Sequence, residues 1–422
     1  SKPFNRKILE AIAVKRSELF ATASKESEAE FDCRSAELAV KAGLVHNYGS
    51  GTFGFTHLGQ QVLDNIEEVI REEMDEIGQE VTMNILQNSE MWENSGRWKN
   101  FEGDEFFTLK NRDDRDFTIA ATHEEASVEL VRKKIRSYRD LDFTIYQIGR
   151  KFRDDRARKG LLRGKEFFMK DAYSFHADED QLQETYNEML EAYRRIFEKL
   201  GLEYSIVAAD NGSMGGSESH EFMAESEIGS DTYLKCSNSE CSFATKDLDV
   251  QNCRECSSEL NRVNGIEIGH LFQLGDRYSS KMDLTYQDKD DGEKNVLMAS
   301  YGIGVSRLIS AVIEQNNDEN GITWNDTVSA FDCSIIVARH EEEAEKKAEE
   351  LHEKLSNRGL EVLLFDEGSV GEKFAESDLM GVNRMIIIGK RFLEEGLIEL
   401  ETRQGETSVC KGEEVGEKAD AM

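Results

Sequence analysis

Near residue 325 the chain changes its pattern, and that change constrains the fold more than any other feature. Beyond it, an apolar strand (331–338) gives way to a charged helix (341–355). A strand (361–365), a helix (372–379) and strands at 385–389 and 397–402 follow. Strands alternating with helices over that length predict a small separate α/β domain. Its boundary is expected between Asn325 and Ala330. The preceding residues follow another rhythm. After an early capped helical segment, 60–77 reads as one long amphipathic helix, with Val62, Ile66, Val69, Ile70 and Met74 at helical spacing. Strand formers gather at 81–86, 106–109 and 117–120, then at 144–152 and 166–173 around a charged loop, and again at 266–274 and 295–300. Helices are expected at 181–200 and 307–315. Antiparallel strands interleaved with helices predict an α+β body, and no internal repeat is apparent.

Composition narrows the function. The chain has 422 residues and a formal net charge of −33, which favours solubility and opposes non-specific nucleic-acid binding. No run of 18 apolar residues exists, so no membrane-spanning helix is expected. The first twenty residues lack an apolar signal core, so the expected location is the cytoplasm. Seven cysteines, four of them grouped, suit a reducing compartment and a metal site better than a disulfide framework. Against this acidity stands a basic run, Arg150, Lys151, Arg153, Arg156, Arg158, Lys159, Arg163 and Lys165, with only Asp154 and Asp155 opposing it. It reads either as a solvated face or as a site for a polyanion.

Two elements bear on chemistry. Phe152-Arg153-Asp154-Asp155, a basic loop, then Arg163-Gly-Lys-Glu-Phe167-Phe-Met-Lys-Asp171 place arginines and an aromatic ring on paired strands. Guanidinium groups bind phosphate oxygens in pairs, and an aromatic face can stack on adenine. Asp155 and Asp171 are placed either to orient an arginine or to hold magnesium. Ser300-Tyr-Gly302-Ile-Gly304-Val-Ser-Arg307 then lets backbone approach a ligand at a helix start.

Together the two elements resemble motifs 2 and 3 of class II aminoacyl-tRNA synthetases. Further segments narrow the resemblance: Trp92-Glu-Asn-Ser-Gly-Arg-Trp98, Thr122-His-Glu-Glu125, Met169-Lys-Asp-Ala-Tyr-Ser-Phe175, 212–222 with Ser219-His-Glu221, and Gly269-His-Leu-Phe-Gln273. In this order they are similar to prolyl-tRNA synthetases of the bacterial type, and the likeness spans nearly the whole chain. The resemblance implies a class II antiparallel-sheet catalytic core, an α/β anticodon-binding domain and a homodimer. It implies an enzyme, a ligase that joins L-proline to tRNA(Pro) using ATP with Mg2+. Arg153 and Arg307 would be the catalytic residues, on the α- and γ-phosphates. Asp155, Arg163, Phe167, Asp171, Gly302 and Gly304 would complete the ATP site, with Phe167 stacked on adenine. Thr122, Glu124, Arg153, His220, Phe222 and His270 would hold proline. Glu124 would face its ammonium, and Phe168, Phe222 and His220 would wall its ring. Catalysis would rest on positioning and charge neutralisation, with no general base. Two rivals are a threonyl-like class IIa synthetase and a catalytically silent paralogue acting as a binding module. The T-H-E-E and S-H-E segments oppose the first; intact Arg153, Arg163, Phe167 and Arg307 oppose the second.

The same resemblance organises the rest. Expected boundaries are 1–232 and 263–328 for the catalytic core, 233–262 for a small insert, and 329–422 for the anticodon domain. The insert stands where bacterial-type relatives carry a large editing domain. Its Cys236-x4-Cys241-x11-Cys253-x2-Cys256 spacing suits either tetrahedral zinc or a relic of a zinc site. Lys373, Arg384 and Lys390 would meet the anticodon. Motif 1, the long helix and the strand after it, would form the dimer edge, with Asn84 where the family has proline. The chain holds a single proline, Pro3. Relatives commonly have proline at the positions of Asn84, Ala121, Asp142, Asn325, Ala330 and Asn383. The expectation is a synthetase depleted of its own substrate amino acid through selection or design, each loss costing about 0.4–1 kcal/mol of stability where proline fitted.

Overall fold

The structure is a computed structural model that describes residues 13–20, 23–24, 30–99, 106–208, 218–290 and 292–421. Pro3 and residues 212–217 of the glycine-rich segment lie outside them.

Apolar and polar side chains alternate through the middle of the chain, and these stretches form a nine-stranded sheet. Its strands are β1 (Gln79–Glu80), β2 (Phe143–Phe152), β3 (Glu166–His176), β4 (Tyr204–Ala208), β5 (Ser219–Glu225), β6 (Asp231–Cys236), β7 (Ala244–Thr245), β8 (Leu260–Gly275) and β9 (Leu297–Ile303). They run in the order β5-β4-β7-β6-β8-β9-β3-β2-β1, with β5 also against β8. Pairing is antiparallel except for the two-residue β1 beside β2 and a single contact between β4 and β7. Helices α1 (His57–Met74), α2 (Glu124–Val131), α3 (Glu179–Lys199) and α4 (Val305–Gln315) accompany the sheet in sequence. This is the α+β core expected.

Register decides what each face carries. Gln147, Asp171, Gly302, His270 and Glu221 are successive cross-strand partners from β2 to β5, so they share one face. The neighbouring row, Ile148, Lys170, Ile303, Gly269 and Phe222, therefore belongs to the other face. Helix α3 covers that second face with Tyr186, Met189, Tyr193, Ile196 and Phe197, all buried. Asp178 starts α3 by accepting the Gln181 N–H at 3.0 Å. A bulge opposite Phe222 and Met223 leaves Ile268 without a partner and returns Glu267 to the His270 face.

The expected strand at 81–86 is irregular. Its backbone donors find separate partners, the Val81 N–H on the Tyr146 carbonyl (2.8 Å) and the Met83 N–H on Gln147 Oε1 (2.9 Å). Strand structure resumes only at Leu86–Asn88. Asp142 corrects the proline argument at one turn. Its φ is +68° and its N–H bonds the Phe175 carbonyl at 3.0 Å. Proline, locked near −65° and lacking the donor, fits neither condition. Asn325 likewise uses its side chain, accepting the Val328 N–H at 3.1 Å.

The C-terminal sheet contains β10 (Cys333–Val337), β11 (Val362–Phe365), β12 (Arg384–Ile388), β13 (Leu397–Thr402) and β14 (Thr407–Lys411). The first three are parallel and the last two antiparallel. Helix α5 (Glu342–Ser356) buries Leu351 and Leu355 against Ile335, Leu364, Ile386 and Leu400. Helix α6 (Val370–Met380) opens with a capping box between Ser369 and Glu372 and closes at Gly381, whose φ of +77° suits glycine.

The chain divides into two units, and the division differs from the expected boundaries. The described residues up to Tyr48, Gly54–Asn65 and everything from Asn316 form one unit; Gly49–Phe53 and Ile66–Gln315 form the other. The N-terminal segment joins the first because Ala13–Lys15 adds a parallel strand to β11. Arg16 secures it with paired bonds to Glu376 at 2.9 and 3.1 Å. Residues 316–328 join it because Asp318 pairs with Arg403 at 2.7 Å and Trp324 Nε1 donates to the Met380 carbonyl at 2.9 Å.

Candidate active site

The Thr122-His-Glu-Glu segment leads into α2, where a carboxylate in the first turn meets the favourable end of the helix dipole. Thr122 Oγ1 donates to Glu124 Oε2 at 2.7 Å, and Arg97 Nη1 reaches the same oxygen at 3.1 Å. Arg97 also bonds both oxygens of the fully buried Glu125 at 3.2 Å, while Ser95 Oγ donates to Glu125 at 2.6 Å. The guanidinium lies 5.0 Å from the Trp92 ring centroid and 5.4 Å from that of Tyr278. Arg97 and Glu125 brace this loop; the motifs quoted from the sequence contain both, without a role. An arginine inside an aromatic-flanked motif was the available signal.

Beneath this loop lies a buried polar network. Tyr173 Oη accepts the His123 N–H (3.0 Å) and donates to Asp171 (2.9 Å). Asp171 also receives Gln147 Nε2 at 3.0 Å and faces Lys151 Nζ at 2.6 Å. Burial pushes the Asp171 carboxyl up, but Lys151, His123 and the Gln147 amide together outweigh it and hold the carboxyl below its usual value. Burial and the same lysine push His123 down to about 4, so its imidazole is neutral near pH 7. Both expected roles of Asp171, orienting an arginine or holding magnesium, give way to this one: its oxygens face a lysine, an amide and a phenol, and they anchor the Thr122–Glu124 loop.

Arg153 follows β2. Its Nε donates to the Ala121 carbonyl at 3.3 Å, directly before Thr122, and its guanidinium stands 5.5 Å from the Phe167 ring centroid. Asp155 does orient an arginine, since it pairs with Arg163. Arg307, in the first turn of α4, donates from Nε to the Leu162 carbonyl (3.0 Å) and from Nη1 to the Glu267 carbonyl (2.6 Å). With Arg158, Lys159, Arg163 and Glu267 it lines a cleft of mainly positive character. A Cβ at Gly302 would meet only Met169 Sδ, at 3.9 Å, so the absent side chain keeps the centre of the face open.

The proposed proline residues separate by face. His270 lies on the open face, its Nε2 2.8 Å from Ser219 Oγ and its Nδ1 3.1 Å from Glu267. Its ring stacks on Phe272 with centroids 3.7 Å apart. His220 and Phe222 lie on the covered face. His220 Nδ1 sits 2.9 Å from Tyr186 Oη, and Phe222 is enclosed by Tyr193, Phe197 and Tyr204. Phe168 also faces away, its N–H bonded to Ser306 Oγ at 2.6 Å. None of these three walls a pocket beside Glu124, because strand alternation turns each of them to the opposite side.

The four grouped cysteines converge, with their sulfurs all within 4.8 Å of one another. Zinc–sulfur bonds near 2.3 Å put tetrahedral sulfurs about 3.8 Å apart, so the set fits the ion. The N–H groups of Asn238, Phe243 and Ser258, each two residues beyond a cysteine, bond the sulfurs of Cys236, Cys241 and Cys256. Such donors stabilise thiolates around a metal.

In the other unit the three residues expected at the anticodon also differ. Lys373 is buried, its Nζ 3.4 Å from the Val337 carbonyl, and burial lowers its pKa. Arg384 is held by Asp326 at 2.6 and 3.1 Å. Lys390 is well exposed, beside Glu394 at 3.5 Å. At the expected dimer edge, Asn84 Nδ2 donates to the Leu86 carbonyl at 2.7 Å. Among the described residues no helix is long and apolar enough to cross a membrane.

Comparison with known proteins identifies the two domains and the family. Residues 107–316 match the tRNA synthetase class II core domain (G, H, P, S and T), and residues 332–418 match the anticodon binding domain. A proline–tRNA ligase of Sulfurimonas denitrificans is 35% identical over 423 residues, covering 94% of this chain and 96% of the relative. One from a Wolbachia species is 38% identical over 396 residues, with coverage of 90% and 93%. The match to the ligase of a Geobacillus species runs over 547 positions at 32% identity, covering 93% and 96%. That alignment exceeds this chain's length, so the Geobacillus protein carries an additional block. The crystal structure of prolyl-tRNA synthetase from Cryptosporidium parvum complexed with L-proline and AMP shares the fold, with a TM-score of 0.75 at 18% identity over 92% of this chain and 74% of that one. By the length and identity of these matches, the chain belongs to the proline–tRNA ligase family of class II aminoacyl-tRNA synthetases.

Proposed function

We propose that this protein activates L-proline with ATP and transfers the prolyl group to tRNA(Pro). The observation that carries the reading is the bond from Arg153 to the Ala121 carbonyl. It fixes the guanidinium that would hold the α-phosphate beside the Thr122–Glu124 loop that would hold the amine. The proline carboxylate then attacks the α-phosphorus, pyrophosphate leaves, and a terminal ribose hydroxyl of the tRNA later attacks prolyl-adenylate. Glu124 supplies the counter-charge for the ammonium, Phe167 the adenine platform, and Arg153, Arg163 and Arg307 the positive charge for ATP, which is taken to arrive with Mg2+. Preorganised charge in a site partly shielded from water is the main source of rate. Proline-dependent ATP–pyrophosphate exchange tests the reading. Exchange with proline supports it; exchange only with threonine or another amino acid, or none at all, sinks it.

Three further assignments complete the proposal. Cys236, Cys241, Cys253 and Cys256 would hold a structural zinc ion, which would cross-link the two turns of the insert. Lys390, the well-exposed member of its trio, would contact the anticodon, with Arg384 joining only on release from Asp326. The enzyme would work in the cytoplasm as a homodimer built on motif 1.

A further inference from the structure

The insert does more than replace a larger domain. Lys246 lies between Cys241 and Cys253, just after the two-residue strand β7. Its ammonium pairs with Glu221 and stands 3.5 Å from Asp231. Glu221 belongs to the open-face row, with Oε1 3.9 Å from His270 Nε2. Glu267 approaches the same imidazole from its other nitrogen, at 3.1 Å, and lies 3.8 Å from Arg307 Nη1. Two carboxylates thus flank one histidine where substrates carrying a carboxylate and phosphates would enter. Arg307 offsets Glu267, and without a second cation Glu221 would repel them.

The segment bearing Lys246 has little structure of its own. Strand β7 pairs with β4 through Thr245 alone and with β6 through two residues, too few to hold it. Ala244 packs against Val207, Met223 and Tyr233, and beyond Thr245 the chain is tied to the cysteine turns. Asp247 accepts a bond from Arg254 at 3.3 Å, and Arg254 sits between Cys253 and Cys256. An ion joining Cys241 to Cys253 would close the loop whose middle carries Lys246.

We propose that Lys246 is a positioning residue for the amino-acid site and that the four-cysteine hairpin is its mount. The lysine neutralises Glu221 so that His270 keeps its bonds to Ser219 and Glu267 and the face stays receptive to anions. This rests on the placement of proline beside His270 and of zinc among the cysteines.

Exchange kinetics and elemental analysis on the full chain test it. Lys246→Met should raise the proline KM about tenfold, the scale of one charge-assisted bond, with kcat and the ATP KM nearly unchanged and zinc content at the parent level. Lys246→Arg should restore the proline KM. Removing zinc with a chelator should reproduce the rise in the parent and add nothing in Lys246→Met. A Lys246→Met protein with the parent's zinc and proline KM overturns the positioning role. Freshly purified parent without zinc overturns the mount. Absence of proline-dependent exchange in the parent would instead sink the placement on which the inference rests.

Discussion

The two faces of the central sheet are built from alternate residues of the same strands, yet they obey different rules. On the open face, charges oppose charges: Asp171 meets Lys151, Glu267 meets Arg307, and Glu221 meets Lys246. On the covered face Lys170 is fully buried with Tyr193 Oη at 2.8 Å and the Tyr301 carbonyl at 3.3 Å, in a wall of aromatic rings. The difference teaches that membership of a motif does not confer membership of a site. Lys170 and Asp171, or Glu221 and Phe222, are neighbours in sequence and separated by the thickness of the sheet.

The sharpest way to break this contrast is Arg153→Ala. Loss of a phosphate-binding guanidinium should reduce proline-dependent exchange by about a thousandfold, with melting temperature little altered. Near-parent exchange would remove Arg153 from the chemistry.

Phe222→Ala should do the reverse. Its ring is fully buried under α3, so truncation should cost about 3–5 kcal/mol in denaturant unfolding and leave the proline KM of the folded enzyme unchanged. A raised KM without lost stability would place the ring on the open face after all.

His123 tests the charge balance beneath the loop through pH. Its pKa falls from 6.5 unfolded to about 4 folded, so between those values the unfolded chain binds the extra proton. Its contribution to stability is intact above pH 6.5 and should decline by about 3 kcal/mol as pH falls to 4. Comparing parent and His123→Gln in urea across that window should show the flatter slope in the variant; equal slopes would contradict the buried neutral imidazole.

The smallest effect sharpens the comparison at the entrance to β2. Asp142→Pro should destabilise by about 1–3 kcal/mol, since it loses a backbone donor and cannot adopt φ near +68°. Equal or greater stability in thermal melts would return this turn to the proline-compatible class.

Much of this was legible beforehand. The α+β body, the α/β C-terminal domain, and the clustering of Arg153, Phe167, Thr122 and Glu124 followed from residue spacing and family resemblance. Strand alternation was legible too, but which parity faces the ligand was not, because that depends on where α3 settles. His220, Phe222 and Phe168 were therefore misplaced together. The bulge at Ile268 has only the strand glycines Gly265 and Gly269 as its signal, and it decides that Glu267 and His270 meet. Ala13–Lys15 is too short for any periodic signal and exists only because β11 offers an edge. Lys373 was expected at the anticodon, although its helix turns it inward.

The turns at Asp142 and Asn325 close with ordinary hydrogen bonds and need no pyrrolidine ring to fix the backbone. That leaves the Lys2–Pro3 linkage as the single X–Pro bond in the chain. Imide isomerisation, which takes tens to hundreds of seconds and commonly limits the refolding of large proteins, has almost nothing to act on here. The pace of folding is left to strand pairing and domain assembly.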